Sequence, residues 1–229
     1  FGYVGKLNRT INPITATEIE NILEPIESSE DPVSILFLGR DSRDSEGELG
    51  RADTIMLLYL DPASQKLSIL SIPRDTLVEI PGHGQDKINA AYSLGGEELM
   101  IDTITNFLGA KINHFVAIDF DGFIKLIDEL GGVEITIDRP LIDDKSGANF
   151  AAGTHMLTGE QALAYTRSRA TELGDIGRIQ RQQHLIFELA RQKLNVRYLS
   201  RVPYYFEILF ENTRTDLDVM TMLRYSKAA

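Results

Sequence analysis

The segment VSILFLGRDSRDSEGELGRADTIMLLYLDPASQKLSILSIP, residues 33–73, carries three apolar runs separated by two polar breaks. VSILFLG at 33–39 is too apolar to be an edge strand facing water. TIMLLYLD at 54–61 follows a loop rich in Asp, Ser and Gly, and an Asp-Pro-Ala-Ser turn leads into KLSILSIP at 66–73. So short a turn predicts an antiparallel hairpin for the last two. Downstream, the pattern predicts helices at 86–94, stopped by Gly95-Gly96, and at 97–108, closed by Gly109. A strand at 114–120, a helix at 123–130 ended by Gly131-Gly132, and a strand at 133–138 follow. Residues 139–153 read as loop, 159–165 and 175–194 as helices, and 202–227 as mostly helical with a break around 212–215. Strands separated by helices, together with one hairpin, predict an α/β fold: a single domain over 33–229 with a mixed central sheet flanked by helices. Residues 1–32 read as a polar lead-in, with a short helix begun by Thr17 near Glu20.

Composition narrows the function. Of 229 residues, 43% are hydrophobic and 25% charged, the balance of an ordinary folded protein. A net charge of -11 argues against a nucleic-acid partner and against broad adhesion to an acidic bilayer. With no cysteine, disulfides, thiolate metal sites and cysteine nucleophiles are excluded. No run of 18 apolar residues is present to span a bilayer. His83, His114, His155 and His184 lack metal-ligand spacing, no G-x-S-x-G elbow surrounds Ser71, and there is no phosphate-binding G-x-x-x-x-G-K-[ST] loop.

The charged clusters are more informative. Asp41 leaves one strand and Asp53 precedes the next, so their loop brings two carboxylates to one rim of the sheet. Such a pair suits Mg²⁺ or Mn²⁺, or simply caps turns. Arg74, Arg167, Arg169, Arg178 and Arg181 supply guanidinium groups suited to bidentate phosphoryl contact, and a helix beginning near Asp175 would add free N–H groups. The alternative is a structural network with Asp75, Asp175 and glutamates. Arginines gathered around one diphosphate would repel each other, so deleting one should cost little stability.

Seven motifs occur in the order and spacing of the LytR-CpsA-Psr family of cell-envelope proteins. They are FLGRDSR at 37–43, RADTIML at 51–57, SIPRDT at 71–76, IPGHGQDKINAAY at 80–92, DFDGFIKLIDELGGVEI at 119–135, GEQALAYTRSR at 159–169 and GDIGRIQRQQ at 174–183. The chain from about residue 33 to 194 resembles that family. The resemblance implies a bacterial enzyme anchored in the cell membrane by a single N-terminal helix that this chain lacks, with its domain on the extracellular side. It implies Mg²⁺-assisted transfer of a glycopolymer, such as teichoic acid or capsule, from a polyprenyl diphosphate carrier to peptidoglycan or another wall glycan.

By motif position, the resemblance makes Asp41 and Asp53 the metal-binding acids. Arg51, Arg74, Arg167, Arg169 and Arg178 become the diphosphate set, with Arg181 in support. Asp75 would orient Arg74, and Lys87 would reach a phosphate or pair with an acid. Asp75 and Asp175 are both candidates for the base that takes the acceptor proton. The family also implies an apolar pocket for the polyprenyl tail. Phe107, Phe123, Ile127, Phe187 and Leu189 are candidates to line it, although their helical spacing equally describes core. Two other functions use the same residues: a polyprenyl diphosphate diphosphatase with water as acceptor, and a non-catalytic binding protein or transcriptional attenuator.

Overall fold

Val33–Arg40 (β1) begins the sheet, and Ala52–Asp61 (β2) returns antiparallel to it, with Val33 opposite Leu60 and Gly39 opposite Thr54. The computed structural model describes residues 19, 22–28, 31–40, 50–64, 66–193, 213–217 and 221. These form two compact units, one within Phe1–Phe120 and Asn212–Ala229, the other within Asp121–Glu211.

In the first unit, Lys66–Ser71 (β3) pairs antiparallel with β2, as the hairpin pattern predicts. The Asp61 carboxylate makes the turn by accepting the Ala63 N–H at 3.0 Å and the Ser64 hydroxyl at 2.6 Å. Leu77–Ile80 (β4) and Gly84–Lys87 (β5) form a small antiparallel pair. Residues 86 and 87 are therefore strand and not the start of a helix. The polar GQDK stretch is exposed at every position and has no apolar period to reveal it. Ala90–Leu108 (α1) is interrupted at Gly95 and Gly96, the latter at φ 63°, and ends at Gly109, whose N–H reaches the Thr105 carbonyl at 2.9 Å. His114–Asp119 (β6) lies parallel to β1 on the side away from β2.

Phe120–Glu129 (α2) leads into the second unit, which begins at Asp121 and continues through Val133–Ile137 (β7), Leu141–Asp143 (β8), Ala148–Phe150 (β9) and Gly153–Leu157 (β10). β7 pairs with β10, and β8 with β9. Residues 139–153, read from sequence as loop, thus contain a three-residue hairpin, held by N–H groups of Ser146 and Gly147 bonding to the Asp143 carbonyl. Strands this short carry too little alternation to announce themselves. Gly159–Arg167 (α3) is started by a capping box between Thr158 and Gln161. Gly159 sits so close to α2 that a Cβ there would lie 2.2 Å from the Ile124 carbonyl oxygen. Gly174–Lys193 (α4) is the longest helix described.

The chain then returns to the first unit with Thr213–Thr215 (β11), antiparallel to β6. The sheet order is β11-β6-β1-β2-β3, a mixed sheet as expected. Residues 213–215 are a strand where the sequence suggested only a break between helices; the rest of the predicted 202–227 helical region and the short helix near Thr17 lie outside the described residues, apart from residues 19, 216, 217 and 221. Ile19 packs into the first core with Leu36, Leu38, Tyr92, Ile101, Ile104 and Phe115. Ile127, Val133, Ile135, Ala162, Tyr165 and Leu185 fill the core of the second unit.

A buried polar cluster joins β11 to α1. Glu97 is nearly fully buried, accepting the Tyr92 hydroxyl at 2.8 Å and pairing with Arg214 Nε at 3.1 Å. Burial and the Glu97 charge raise the Tyr92 phenol above its ordinary range, so it stays a neutral donor.

Candidate functional site

In the first unit, the β3 exit is a tight turn. Thr76 donates its N–H to the Pro73 carbonyl at 3.0 Å and its hydroxyl to the same oxygen at 2.7 Å. That turn leaves Arg74 and Asp75 at its two central positions. Backbone N–H groups of Ile88 and Asn89 bond to the carbonyls of Thr76 at 2.8 Å and Arg74 at 3.3 Å, so the K-I-N segment lies against the turn. The result is a chain of alternating charge. Arg74 Nη1 donates to Asp53 Oδ1, Arg74 Nε lies 3.7 Å from Asp75 Oδ2, and Lys87 Nζ donates to Asp75 Oδ1 at 2.7 Å.

A strand that ends on Arg-Asp therefore builds a nearly neutral cluster with Asp53 and Lys87. Lys87 thus has Asp75 as an acidic partner, one of the two kinds of partner its position suggests. Asp53 reaches its place because the β1–β2 register slips between Gly39 and Arg40, where Arg40 faces Ala52 and not Asp53. Arg51 is exposed at the mouth of β2. Asp41 lies outside the described residues. Asp53 offers hard carboxylate oxygens that suit Mg²⁺, but among the described residues no three His, Asp or Glu side chains gather to hold a metal. Sequence reading missed Arg40, which pairs across the parallel strand ends with Asp119 at 3.7 Å.

In the second unit, Asp175 stands in the first turn of α4, where its charge complements the helix dipole. Its Oδ1 forms ion pairs with Arg169 Nη2 at 3.1 Å and Arg178 Nη2 at 2.9 Å. An anionic oxygen at a helix N-terminus between two guanidinium groups occupies the kind of position a phosphoryl oxygen would take. The Arg178 side chain is only 6% exposed, against 43% for Arg169. That burial argues against the expectation that Arg178 could be removed at little cost. Arg167 is the last residue of α3. Arg181 points elsewhere: its Nε donates to the Tyr165 carbonyl at 3.2 Å, and Nη2 to the Ser168 carbonyl.

The candidate tail-binding residues separate by burial. Ile127 is fully buried in the second core, with Phe123 and Leu189 packed against it. Phe107 in the first unit and Phe187 in the second are 47% and 46% exposed. Asp143 was absent from the sequence reading altogether. It carries no motif signal, because its role is to accept backbone N–H groups.

The LytR_cpsA_psr family model matches residues 5–229. The chain is 40% identical over 195 residues to the polyisoprenyl-teichoic acid–peptidoglycan teichoic acid transferase TagU of Halalkalibacterium halodurans. That match covers 84% of this chain but 63% of TagU, so the chain spans less than two thirds of that relative's length. The crystal structure of B. subtilis TagV superposes with a TM-score of 0.77 at 33% identity, covering 87% of this chain and 79% of that one. TagT bound to LIIa-WTA superposes with a TM-score of 0.72 at 27% identity, covering 89% and 77%.

Proposed function

Because the chain belongs to the LytR-CpsA-Psr family, we propose that it is a phosphotransferase moving a teichoic-acid-like glycopolymer from a polyprenyl diphosphate to peptidoglycan. The observation that carries this reading is Asp175 Oδ1 held between Arg169 and Arg178 at the head of α4. The names of the relatives support the substrate class: TagU is called a polyisoprenyl-teichoic acid–peptidoglycan transferase. In each unit by itself, the side chains offered to phosphoryl oxygens are Arg51, Arg74 and Lys87, and Arg167, Arg169 and Arg178. Asp53, with Asp41, would hold Mg²⁺, which when bound offsets negative charge on phosphoryl oxygens.

The acceptor hydroxyl attacks the phosphorus that bears the glycan. A new O–P bond forms, the bond to the bridging oxygen breaks, and polyprenyl phosphate departs with that oxygen. Fixed guanidinium groups stabilise the charge that grows on the non-bridging and leaving oxygens, with no need to reorient. The acceptor proton goes to Asp75, whose side chain is 51% exposed and accepts Lys87 Nζ at 2.7 Å. Asp175 already shares one oxygen between two guanidinium groups and suits anchoring better. Energy comes from the diphosphate, so no nucleotide is needed. We place the domain outside the cell, tethered to the membrane by a preceding segment; no described helix is long and apolar enough to cross one.

The test incubates a polyprenyl diphosphate-linked glycan with the protein, with and without peptidoglycan, and follows the polymer. Polymer joined to the wall glycan by a phosphodiester is the expected product. Release into solution at the same rate whether or not peptidoglycan is present would replace transfer with hydrolysis.

A further inference from the structure

The peptide group between Ser168 and Arg169 is held at both ends by opposite charges. Its carbonyl accepts Arg181 Nη2, and its N–H donates to Asp143 Oδ2 at 2.8 Å. Asp143 stands at the end of β8 and Arg181 on the second turn of α4, so two separate elements grip one peptide plane. Asp143 also accepts the Lys145 N–H at 3.1 Å through Oδ1 and a hydrogen bond from the Ser168 side chain. Arg181 Nε takes the Tyr165 carbonyl at 3.2 Å, and Gln182 Nε2 lies 3.4 Å from that of Thr166. Carbonyls that the end of α3 would leave without partners are thus satisfied by side chains of α4.

The placement has a consequence for the arginines. Ser168 leaves the helix with φ -61° and ψ 139°, an extended step between Arg167 and Arg169. The orientation of the peptide that follows sets the direction in which the Arg169 side chain departs. Free to rotate, that plane would spread Arg169 over many directions; gripped by a carboxylate and a guanidinium, it has one.

We propose that Asp143 and Arg181 are positioning residues that clamp the Ser168–Arg169 peptide by its dipole and so aim Arg169 at phosphoryl oxygen. Arg181 on this account is no ligand of the substrate. The proposal rests on the reading that Arg169 binds phosphoryl oxygen. Two electrostatic facts agree with the geometry. The Arg169 N–H holds the Asp143 carboxyl below its ordinary range. Burial lowers the Arg181 guanidinium, while the Tyr165 and Asp143 charges draw it back up.

The experiment is a double-mutant cycle in the whole chain, with inorganic pyrophosphate as the calorimetric probe. Asp143→Ala should weaken pyrophosphate binding about tenfold, because a misdirected contact loses most of its value. In an Arg169→Ala background the same change should do nothing further. Asp143→Asn, which keeps one acceptor for the N–H, should restore part of the affinity and guards against misfolding of the alanine variant. In amide NMR spectra the Arg169 proton should sit well downfield in the wild type and move upfield in both Asp143 variants. An Asp143→Ala loss that persists unchanged without Arg169, or wild-type affinity with the Arg169 proton unmoved, overturns the clamp. If Arg169→Ala itself binds pyrophosphate as the wild type does, the phosphoryl reading fails first and the clamp's purpose falls with it.

Discussion

Asp175 carries two guanidinium groups on one oxygen, and the two are not equivalent. Arg178 is buried beside it, so Arg178→Ala removes a buried charge partner and its packed stem. That should destabilise the protein by about 1–3 kcal/mol, less than a fully buried pair would, because Asp175 keeps Arg169 and some solvent. Arg169→Ala should leave the melting temperature nearly unchanged while transfer falls at least about tenfold. Thermal melts and transfer assays on the two variants side by side check the contrast; equal losses of stability would remove it. Asp143 adds a pH signature. Its folded pKa lies below the unfolded value, so its stabilising contribution is complete above the ordinary Asp range, near pH 4, and is lost as pH falls through the folded value. Melting curves between about pH 2 and 5 should show that acid-side loss in the wild type and a shallower one in Asp143→Asn.

Elements meet through a few contacts that admit no extra atom or lost charge. The α3 start lies on the α2 backbone, where a methyl at Gly159 would meet the Ile124 carbonyl oxygen at 2.2 Å. No rotamer change relieves a clash with backbone, so Gly159→Ala should cost about 2–3 kcal/mol and loosen the capping box that follows. Measured by denaturant unfolding, a neutral result would mean that α3 can slide along α2. On the other unit, β11 is held by ladder bonds to β6, by Arg214 on buried Glu97, and by Asp216, which accepts the Phe115 N–H at 2.8 Å. Glu97→Ala strands the Tyr92 hydroxyl and the Arg214 charge, and should cost roughly 2–4 kcal/mol. Amide exchange on residues 213–215 should quicken in that variant, since the strand loses its side-chain tie.

At the scale of the whole molecule, the proposed substrate predicts a dependence on chain length. Each methylene of a polyprenyl tail removed from water contributes up to about 0.8 kcal/mol, so long-chain diphosphates should bind far better than a five-carbon one. Equal affinities in a competition assay would argue for a soluble diphosphate instead. The sequence by itself determined the strands at 33–39, 54–61, 66–73, 114–120 and 133–138, the helices closed by glycines, and the mixed sheet. Those features rest on local periodicity and backbone permissiveness, which neighbouring residues already encode. It also brought Arg74, Lys87, Arg169, Asp175 and Arg178 forward, because charged residues at apolar run ends stand out in one dimension. Only the tertiary structure decided that Lys87 pairs with Asp75, that Arg178 is buried while Arg169 is not, and that Arg181 faces carbonyls. It alone revealed the hairpins β4–β5 and β8–β9, too short or too polar to show a period, and β11 and Asp143, whose partners lie far along the chain or are backbone groups. The physical reason for the side-chain partners and for β11 is that burial and hydrogen bonding depend on what folds against a residue, and backbone donors look alike in every sequence.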